Sequence, residues 1–558
     1  MNPSKKIIWI IICVSFGLFI SKINKPKKKA AIVTGHPQAT KIGKYILDKG
    51  GNAIDASIAT QLALAVCFPR AGNIGGGGFM VYRTKDGEYF SLDFREKAPL
   101  KSSKNMYLDN KGKIIDSLST FGNYSVGVPG TISGIFDAHK KFGSLSIEEL
   151  FEPAINIAEN GFTIDTRQAE LLNKHKQDFI KFNSNNNYFI KERKWKNGDT
   201  LIQKDLANTL KLIRDEKRKG FYNGEITKKI IKRLGSESLL SIEDFSSYES
   251  IWRKPIISKI NEYKIISMPP PSSGGIALSQ LIKMLFNFET TNLKHNSAQY
   301  IHLLTEIEKL VYADRSKYLG DSDFYKVPIK KLLNENYLLN QSKKIDLTKA
   351  TPSKNINPGN LNYNESEETT HFSIIDFEGN AVSITTTLNT NFGSKVFVDD
   401  LGFLLNNEMD DFSSKPGSPN TYGLIGSEAN SIAPGKRMLS SMTPTIIEKE
   451  DELFLILGSP GGSTIITSVF QTFLNLVLFN MDIQSAVDEP RFHHQWLPDY
   501  IHLEKNSLNP VTIDSLKLIG HQIKERSSMG HVNAIYVGEK IEIGADKRGS
   551  NSGLIISK

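Results

Sequence analysis

The stretch NESEETTHFSIID, residues 364–376, changes abruptly from an acidic run to an alternating strand pattern at two threonines. The residues before this change, 350–368, are polar, rich in turn formers and without periodicity, which predicts an exposed loop. The residues after it predict a strand, a turn at 378–380 and a second strand, AVSITTTLN. A threonine at a strand start is common, because β-branched residues favour strands. The boundary alone therefore does not establish any chemistry.

A threonine at this boundary is a useful nucleophile only if a base lies beside its hydroxyl group. One such base is the α-amino group of the same residue, whose ordinary pKa is about 7.7–8.0. That amine exists only if the chain is cut before the threonine. A flexible loop followed by a rigid strand would present such a cut, so the stretch suggests a precursor that activates itself.

The segments around this stretch predict paired strands enclosed by helices. Residues 36–66 predict two helices broken at Gly50–Gly51, and residues 75–96 predict a hairpin around Asp86–Gly87. Helical periodicity dominates residues 131–320, which we interpret as outer-layer helices. Residues 443–459 predict a second strand pair, followed by glycines and the helical pattern STIITSVFQTFLNLVLF. Helices, then strand pairs, then helices predict a layered α/β or α+β domain.

The formal charge of +9 comes mainly from the first 29 residues, which hold seven of the 69 basic residues and no acidic one. The remaining 62 basic residues nearly balance the 60 acidic residues. A general nucleic-acid-binding surface is therefore not expected.

Residues 1–29 predict an export leader, because two lysines precede an uncharged run from Ile7 to Ile20. This run is short for a membrane span and typical of a secretory signal. No clear small-x-small cleavage site follows, so an uncleaved membrane anchor formed by residues 7–20 is the alternative. In both cases we expect the remainder to be exported, to the periplasm or outside the cell. Without the leader Cys67 is the only cysteine, which excludes an intramolecular disulfide and a cysteine-based metal site.

Several longer motifs occur on both sides of the threonine boundary. Downstream of it are TTTLNTNFGS, GFLLNNEMDDFSSKPGSPNTYG, KRMLSSMTPT, GSPGGS and PRFHHQWLPD, and upstream are GNIGGGGFM, LDFREKAP and GVPGT. Together they closely resemble the γ-glutamyltransferase (glutathione hydrolase) family of N-terminal-nucleophile hydrolases, from about residue 31 to 545. The resemblance implies an α+β fold, a four-layer αββα sandwich built from two subunits of one cleaved precursor. The implied boundaries are 1–29 for the signal or anchor, 30–368 for the large subunit and 369–558 for the small catalytic subunit.

The resemblance also implies roles for individual residues. Thr369 is the implied nucleophile, the implied cut lies between Glu368 and Thr369, and Thr387 is the neighbour whose hydroxyl bonds to the nucleophile. Gly461 and Gly462 are the implied oxyanion hole, which suits backbone N–H groups at a strand-to-helix junction. The implied substrate-binding residues are Arg95, Asn389, Glu408, Asp411, Ser440 and Ser441, together with Tyr422 in a mobile lid.

Each of these residues also has a more ordinary interpretation. Glu408 and its acidic neighbours could form a solvated turn or a cation site, Arg95 could form a surface ion pair, and Thr387 could be a plain strand threonine. The glycines resemble a phosphate loop, but no Gly-Lys-Ser/Thr follows them. His493 and His494 lack a third ligand at a useful spacing, so we interpret them as structural and expect no metal.

The resemblance implies a self-processing enzyme that cleaves γ-glutamyl amides through a glutamyl-threonine ester. Its donors would be glutathione and other γ-glutamyl compounds, its acceptors water, amino acids or peptides, and it would need no cofactor. The two subunits would form a heterodimer. The alternatives are a related enzyme acting on poly-γ-glutamate or on a β-lactam side chain, and a processed but inactive exported scaffold.

Overall fold

A computed structural model describes residues 28–115, 117–183, 187–236, 238–356, 369–418 and 426–558. Its strands are β1 (Lys29–Thr34), β2 (Gly77–Arg83), β3 (Tyr89–Phe94), β4 (Phe162–Thr163), β5 (Thr200–Leu201), β6 (Ile251–Arg253), β7 (Ile256–Ile260), β8 (Tyr263–Ser267), β9 (Thr370–Ile375), β10 (Ala381–Thr387), β11 (Phe397–Val398), β12 (Phe403–Leu404), β13 (Thr445–Lys449), β14 (Glu452–Gly458), β15 (Phe492–His493), β16 (Ile501–Glu504), β17 (Ile523–Arg526), β18 (Asn533–Val537), β19 (Ile541–Ala545) and β20 (Ser552–Ser557). Its α-helices are α1 (Pro37–Asp48), α2 (Ala53–Cys67), α3 (Thr131–Phe142), α4 (Ile147–Asn160), α5 (Thr166–Lys174), α6 (Lys176–Phe182), α7 (Lys204–Tyr222), α8 (Glu225–Leu234), α9 (Ile242–Ser246), α10 (Gly274–Leu285), α11 (Ala298–Tyr318), α12 (Ile329–Leu332), α13 (Glu335–Ser342), α14 (Thr464–Val477), α15 (Ile483–Asp488) and α16 (Pro510–Leu518).

Two large antiparallel sheets form the centre of the protein. The first has seven strands in the order β20-β1-β9-β10-β2-β3-β6, and the second has six in the order β19-β18-β14-β13-β8-β7. Both sheets combine strands that precede Thr369 in the chain with strands that follow it. In the first sheet β1 lies between β20 and β9, and is hydrogen-bonded to both.

The two sheets stack face to face and helices cover their outer faces. Val33 and Phe79 of the first sheet share an apolar core with Ile446 and Ile456 of the second. Helix α2 packs on the outer face of the first sheet, and α10, α11 and α14 pack on the outer face of the second. This arrangement confirms the predicted α+β, four-layer αββα sandwich.

Short sequence signals determine where several of the central helices and strands begin and turn. The predicted break between the first two helices is confirmed, since α2 begins after Gly51 with a capping box formed by Asn52 and Asp55. The predicted hairpin is confirmed as β2 and β3. The hairpin of β9 and β10 turns at Gly379, whose φ of 94° favours glycine, and Asp376 accepts backbone hydrogen bonds across this turn.

Helices dominate residues 131–320 as predicted, but the prediction missed β4 to β8, of which β6 belongs to the first sheet and β7 and β8 belong to the second. Helix α11 is present as predicted, and its residues 300–316 are all buried. Most of the predicted loop at 350–368 lies outside the described residues. Among the described helices, none combines the length and the apolar character needed to cross a membrane.

Candidate active site

One cavity gathers most of the predicted site residues from distant parts of the chain. Its lining includes nine of them, namely Arg95, Thr369, Thr387, Asn389, Glu408, Asp411, Ser440, Ser441 and Gly462. Gly461 lines an adjoining groove instead. Tyr422 and Glu368 lie outside the described residues. The cavity also contains Arg315, which the sequence analysis did not identify.

Thr369 is held at the beginning of a central strand. It directly precedes β9, and only 4% of its surface is exposed. Thr370 lies opposite Thr386 in the antiparallel register of β9 and β10. The next position along this register places Thr369 opposite Thr387, because the two strands run in opposite directions. The sheet therefore brings both threonines to one edge of the cavity.

The chain that follows β10 is fixed by polar contacts. The Thr387 hydroxyl accepts a hydrogen bond of 2.7 Å from the Asn389 backbone N–H, and Asn389 adopts a φ of 77°. Asparagine tolerates this left-handed conformation better than most residues. The Asn389 side chain donates to the Asn407 carbonyl at 3.0 Å, directly before the 3₁₀ turn Glu408–Asp411. The two loops are thereby joined at the cavity wall.

A buried charge cluster occupies the far side of the cavity. The Arg95 guanidinium lies 2.5 Å from a carboxylate oxygen of Glu408, 2.5 Å from one of Asp411 and 3.5 Å from one of Glu96. The Arg95, Glu96 and Glu408 side chains are at most 1% exposed. Glu96 was not predicted, although it follows Arg95 directly in the motif FRE.

Burial dominates the protonation of this cluster. It raises the pKa of Glu408 well above its usual range, that of Glu96 to about 8 and that of Asp411 to about 6, although Arg95 opposes all three shifts. One guanidinium thus faces three carboxyl groups whose ionised forms are disfavoured, because burial deprives them of solvation by water. A ligand cation that enters the cavity would favour the ionised form of these carboxyl groups, so the cluster suits a ligand that carries an ammonium group.

Arg315 provides a second buried cation at the serine pair. Its guanidinium donates to the Ser441 hydroxyl at 3.0 Å and to the Ser273 hydroxyl at 2.9 Å. Burial lowers the pKa of Arg315 to about 10. The neighbouring Ser440 hydroxyl accepts a hydrogen bond from the Met442 backbone N–H at 3.1 Å. The sequence carried no signal for Arg315, because the periodicity of its helix does not reveal that its charged residues are buried.

The glycine loop connects β14 to α14 and forms another wall of the cavity. Gly461 and Gly462 have φ angles of 130° and 54°, which favour glycine. A Cβ atom on Gly461 would lie 2.6 Å from the Thr464 hydroxyl oxygen and 3.2 Å from Gly530 Cα, so a larger residue would also clash. Because its glycines have no side chains, the loop can bring backbone N–H groups close to the cavity, as an oxyanion site requires.

The histidines near this region stay neutral and do not line the cavity. His371 lies between the hydroxyls of Thr385 and Ser373, at 2.9 and 3.0 Å, and burial lowers its pKa to about 3. His493 contacts the Thr467 hydroxyl at 2.9 Å, and burial lowers its pKa well below the usual value. Neutral rings in these positions suit structural roles.

One other cluster offers metal-ligating atoms. Ligand atoms of His302, Glu306 and His521 lie within 4.8 Å of one another, and all three residues are buried. The Lys309 ammonium group donates to Glu306 at 2.7 Å, so the cluster already contains a cation. This charge opposes a metal ion, and none of the three residues lines the Thr369 cavity.

Comparison with known proteins finds relatives in both sequence and overall structure. The sequence profile named Gamma-glutamyltranspeptidase matches residues 39–556. The glutathione hydrolase proenzyme of Escherichia coli strain K12 is 41% identical over 534 residues, which cover 95% of this chain and 92% of that protein. The crystal structure of Helicobacter pylori gamma-glutamyltranspeptidase is 44% identical, with a TM-score of 0.56 over 59% of this chain and 96% of that one. A cephalosporin acylase from Bacillus halodurans shares the fold, with a TM-score of 0.83, 24% identity and coverage of 95% of this chain and 96% of that one.

Proposed function

The chain belongs to the gamma-glutamyltranspeptidase family, and on that premise we propose that it is a self-processing glutathione hydrolase and γ-glutamyltransferase. It cleaves γ-glutamyl amides through a glutamyl-threonine ester and transfers the group to water, amino acids or peptides. The observation that carries this proposal is the shared cavity of Thr369 and the buried Arg95 cluster. A nucleophile and a receptor for both α-groups of glutamate lie within one small enclosure.

The first step is the maturation of the precursor at Glu368–Thr369. The Thr369 hydroxyl oxygen attacks the carbonyl carbon of Glu368, the peptide C–N bond breaks, and the Thr369 nitrogen takes up a proton. Water then hydrolyses the resulting ester, which releases a carboxylate on Glu368 and restores the Thr369 hydroxyl beside the α-amino group freed in the step before. The fixed position of Thr369 at the start of β9 supports this step, because the hydroxyl must be held against its own peptide bond.

The mature Thr369 then acts as nucleophile and, through its amine, as base. Its hydroxyl oxygen attacks the γ-carbonyl carbon of the donor while the hydroxyl proton passes to the amine. The tetrahedral intermediate collapses, the amide C–N bond breaks, and the leaving amine takes this proton. Water or an acceptor amine next attacks the ester and gives a proton to the Thr369 amine. Breakage of the ester C–O bond then restores the hydroxyl group.

Substrate recognition follows from the charges of the cavity. Arg95 is suited to the α-carboxylate of the donor, because a guanidinium can bind a carboxylate through two hydrogen bonds. The α-ammonium group is suited to Glu408 and Asp411, whose ionised forms it would stabilise. Asn389 and the Ser440–Ser441 pair line the same cavity and can complete the hydrogen bonds of these groups.

The glycine loop is suited to stabilising the tetrahedral intermediate. Gly462 lines the Thr369 cavity, and Gly461 and Gly462 lie just before α14, whose N-terminus carries a partial positive charge. Backbone N–H groups in such a loop typically contribute about 3–4 kcal/mol to transition-state stabilisation for each oxyanion hydrogen bond.

Export of the chain is a separate proposal, supported by the charged and then apolar pattern of residues 1–29. Fractionation of cells that express the full chain would test it. Processed enzyme should be found outside the cytoplasm, and deletion of residues 1–27 should retain it inside.

Gel electrophoresis and two isomeric donors test the catalytic proposal. Wild type should give two bands, Thr369→Ala one band, and Thr369→Ser two bands again, because serine keeps the hydroxyl. The processed enzyme should release p-nitroaniline from γ-glutamyl-p-nitroanilide but not from the α-glutamyl isomer, in which the amide occupies the α-carboxyl group. An uncut wild type would refute self-processing, and equal use of the two donors would refute the assignment of Arg95. Release of a β-lactam side chain or cleavage of poly-γ-glutamate in preference to these donors would favour the alternative enzymes.

A further inference from the structure

A second groove adjoins the glycine loop. It has a volume of about 300 Å³, and its wall includes Gly461, whereas Gly462 lines the Thr369 cavity. Adjacent residues of the proposed oxyanion loop therefore line the two spaces. A molecule that extends from Thr369 past this loop would enter the groove.

The groove is strongly cationic. Arg70, Arg167, Lys174 and Arg526 line it, and none of its described lining residues is acidic. They come from three places in the fold: the chain after α2, helix α5 and the end of β17. The Thr369 cavity differs in its charges, since Glu408 and Asp411 line it together with Arg95 and Arg315. Carboxyl groups therefore line the Thr369 cavity but are absent from the described lining of the groove.

Neighbouring groups hold two of these cations in place. The Arg70 guanidinium lies over the Phe68 ring, 4.6 Å from its centre, and donates to the Asn391 side chain at 3.5 Å. Arg167 donates to the Arg548 carbonyl and lies 3.4 Å from a ring nitrogen of His531. Both arginines are thus oriented in advance, which reduces the entropy lost when a ligand binds.

The proposed function determines what reaches this groove. The glutamyl part of a donor lies in the Arg95 cavity, so the amine on the other side of the scissile bond must leave past the glycine loop. A dipeptide amine such as the one in glutathione ends in a carboxylate and spans about 7 Å when extended. An acceptor amino acid or peptide also carries a carboxylate, and it approaches the ester along the path by which the first amine left.

We propose that the groove lined by Arg70, Arg167, Lys174 and Arg526 binds the carboxylate of the leaving amine and of the acceptor amine. This inference rests on the proposed γ-glutamyl transfer. A cationic subsite beside Gly461 would then select both the leaving amine and the acceptor amine. Donors and acceptors whose amine part carries a carboxylate that reaches this subsite would be the better substrates.

Two donors that differ by one carboxylate test this subsite on the processed enzyme. They are γ-glutamyl-p-nitroanilide and γ-glutamyl-3-carboxy-4-nitroanilide, and the quantity measured is the ratio of their kcat/KM values. In Arg526→Gln this ratio, carboxylated over uncharged, should fall about tenfold, as expected for the loss of one charge-assisted hydrogen bond. Lys174→Gln, a change at an exposed residue, should lower it about threefold.

The control is Lys228→Gln, which removes an exposed lysine of α8 outside the groove and should leave the ratio unchanged. An equal loss on both donors in Arg526→Gln, or an unchanged ratio in both groove variants, would overturn the subsite. If wild type cleaves neither donor, the proposed function itself fails, which is a different result.

The acceptor role is tested by the rate of transfer to glycylglycine and to glycylglycinamide. Arg526→Gln should reduce the preference for glycylglycine, and an unchanged preference would exclude the groove from acceptor binding.

Discussion

Replacing Arg95 with glutamine should destabilise the protein to an extent that depends on pH. The guanidinium contacts Glu408 and Asp411 at 2.5 Å each, and Glu96 at 3.5 Å, in a region almost without solvent. Removing one partner of a buried ion pair typically costs about 3–5 kcal/mol, because the remaining charge stays desolvated. We expect the free energy of unfolding to fall by this amount at pH 7.5.

The loss should be smaller at acidic pH, because the carboxyl groups can take up protons. Burial raises the pKa of Asp411 to about 6 while Arg95 is present, and removal of Arg95 raises it further. A carboxyl group whose folded-state pKa exceeds its unfolded value of about 4 destabilises the fold by about 1.4 kcal/mol per pH unit between those values. In wild type the loss of stability caused by Asp411 ends near pH 6, where its carboxyl group ionises in the folded protein. In the variant the pKa of Asp411 is higher, so the loss of stability continues above pH 6. The difference between the two proteins should therefore grow by about 2 kcal/mol from pH 6.0 to 7.5.

Urea unfolding at these two pH values measures the difference. Both proteins carry Thr369→Ala, so that single uncut chains are compared. The control is Arg193→Gln, which removes an arginine whose side chain is 57% exposed and which pairs with Asp199. This control should cost less than about 1 kcal/mol, with no trend over this pH range. A loss in Arg95→Gln that is the same at both pH values would refute the account of the charge cluster.

Inhibition of the processed enzyme by L-glutamate should strengthen about fourfold from pH 5.5 to 7.5, because Asp411, with a pKa of about 6, becomes ionised over this range. A constant inhibition constant would contradict the assignment of the α-ammonium group to this cluster. Arg315→Gln removes the hydrogen bonds to Ser273 and Ser441 and should raise KM about tenfold while the two-band pattern persists. In a Ser441→Ala background the same change should cost less, and fully additive effects would show that Arg315 does not act through Ser441.

Local signals in the sequence predicted the elements nearest the cavity. The turn at Gly379 defines the hairpin of β9 and β10, and the glycines before α14 define the loop that carries Gly461. Turns of this kind depend on a few adjacent residues, so a single sequence reveals them. The family motifs then indicated which residues meet, and nine of them line one cavity.

Features that depend on distant contacts were not predictable in the same way. Strands β7 and β8 have five residues each; β7 pairs with β8, and β8 pairs with β13, more than 170 positions away. Helix α11 has apolar residues at helical spacing, but its charged residues are also buried, because they form contacts such as those of Glu306 with Lys309 and of Arg315 with Ser441. Periodicity cannot identify such partners.

The position of β1 between β20 and β9 has a consequence for the matured enzyme. A cut before Thr369 would place β20 and β9 on one polypeptide and β1 on the other, so each piece would complete a sheet of its counterpart. Separating the pieces would expose several rows of backbone groups at once, at a free-energy cost close to that of unfolding. The activity per molecule should therefore not change on dilution, and pieces from different precursor molecules should not exchange.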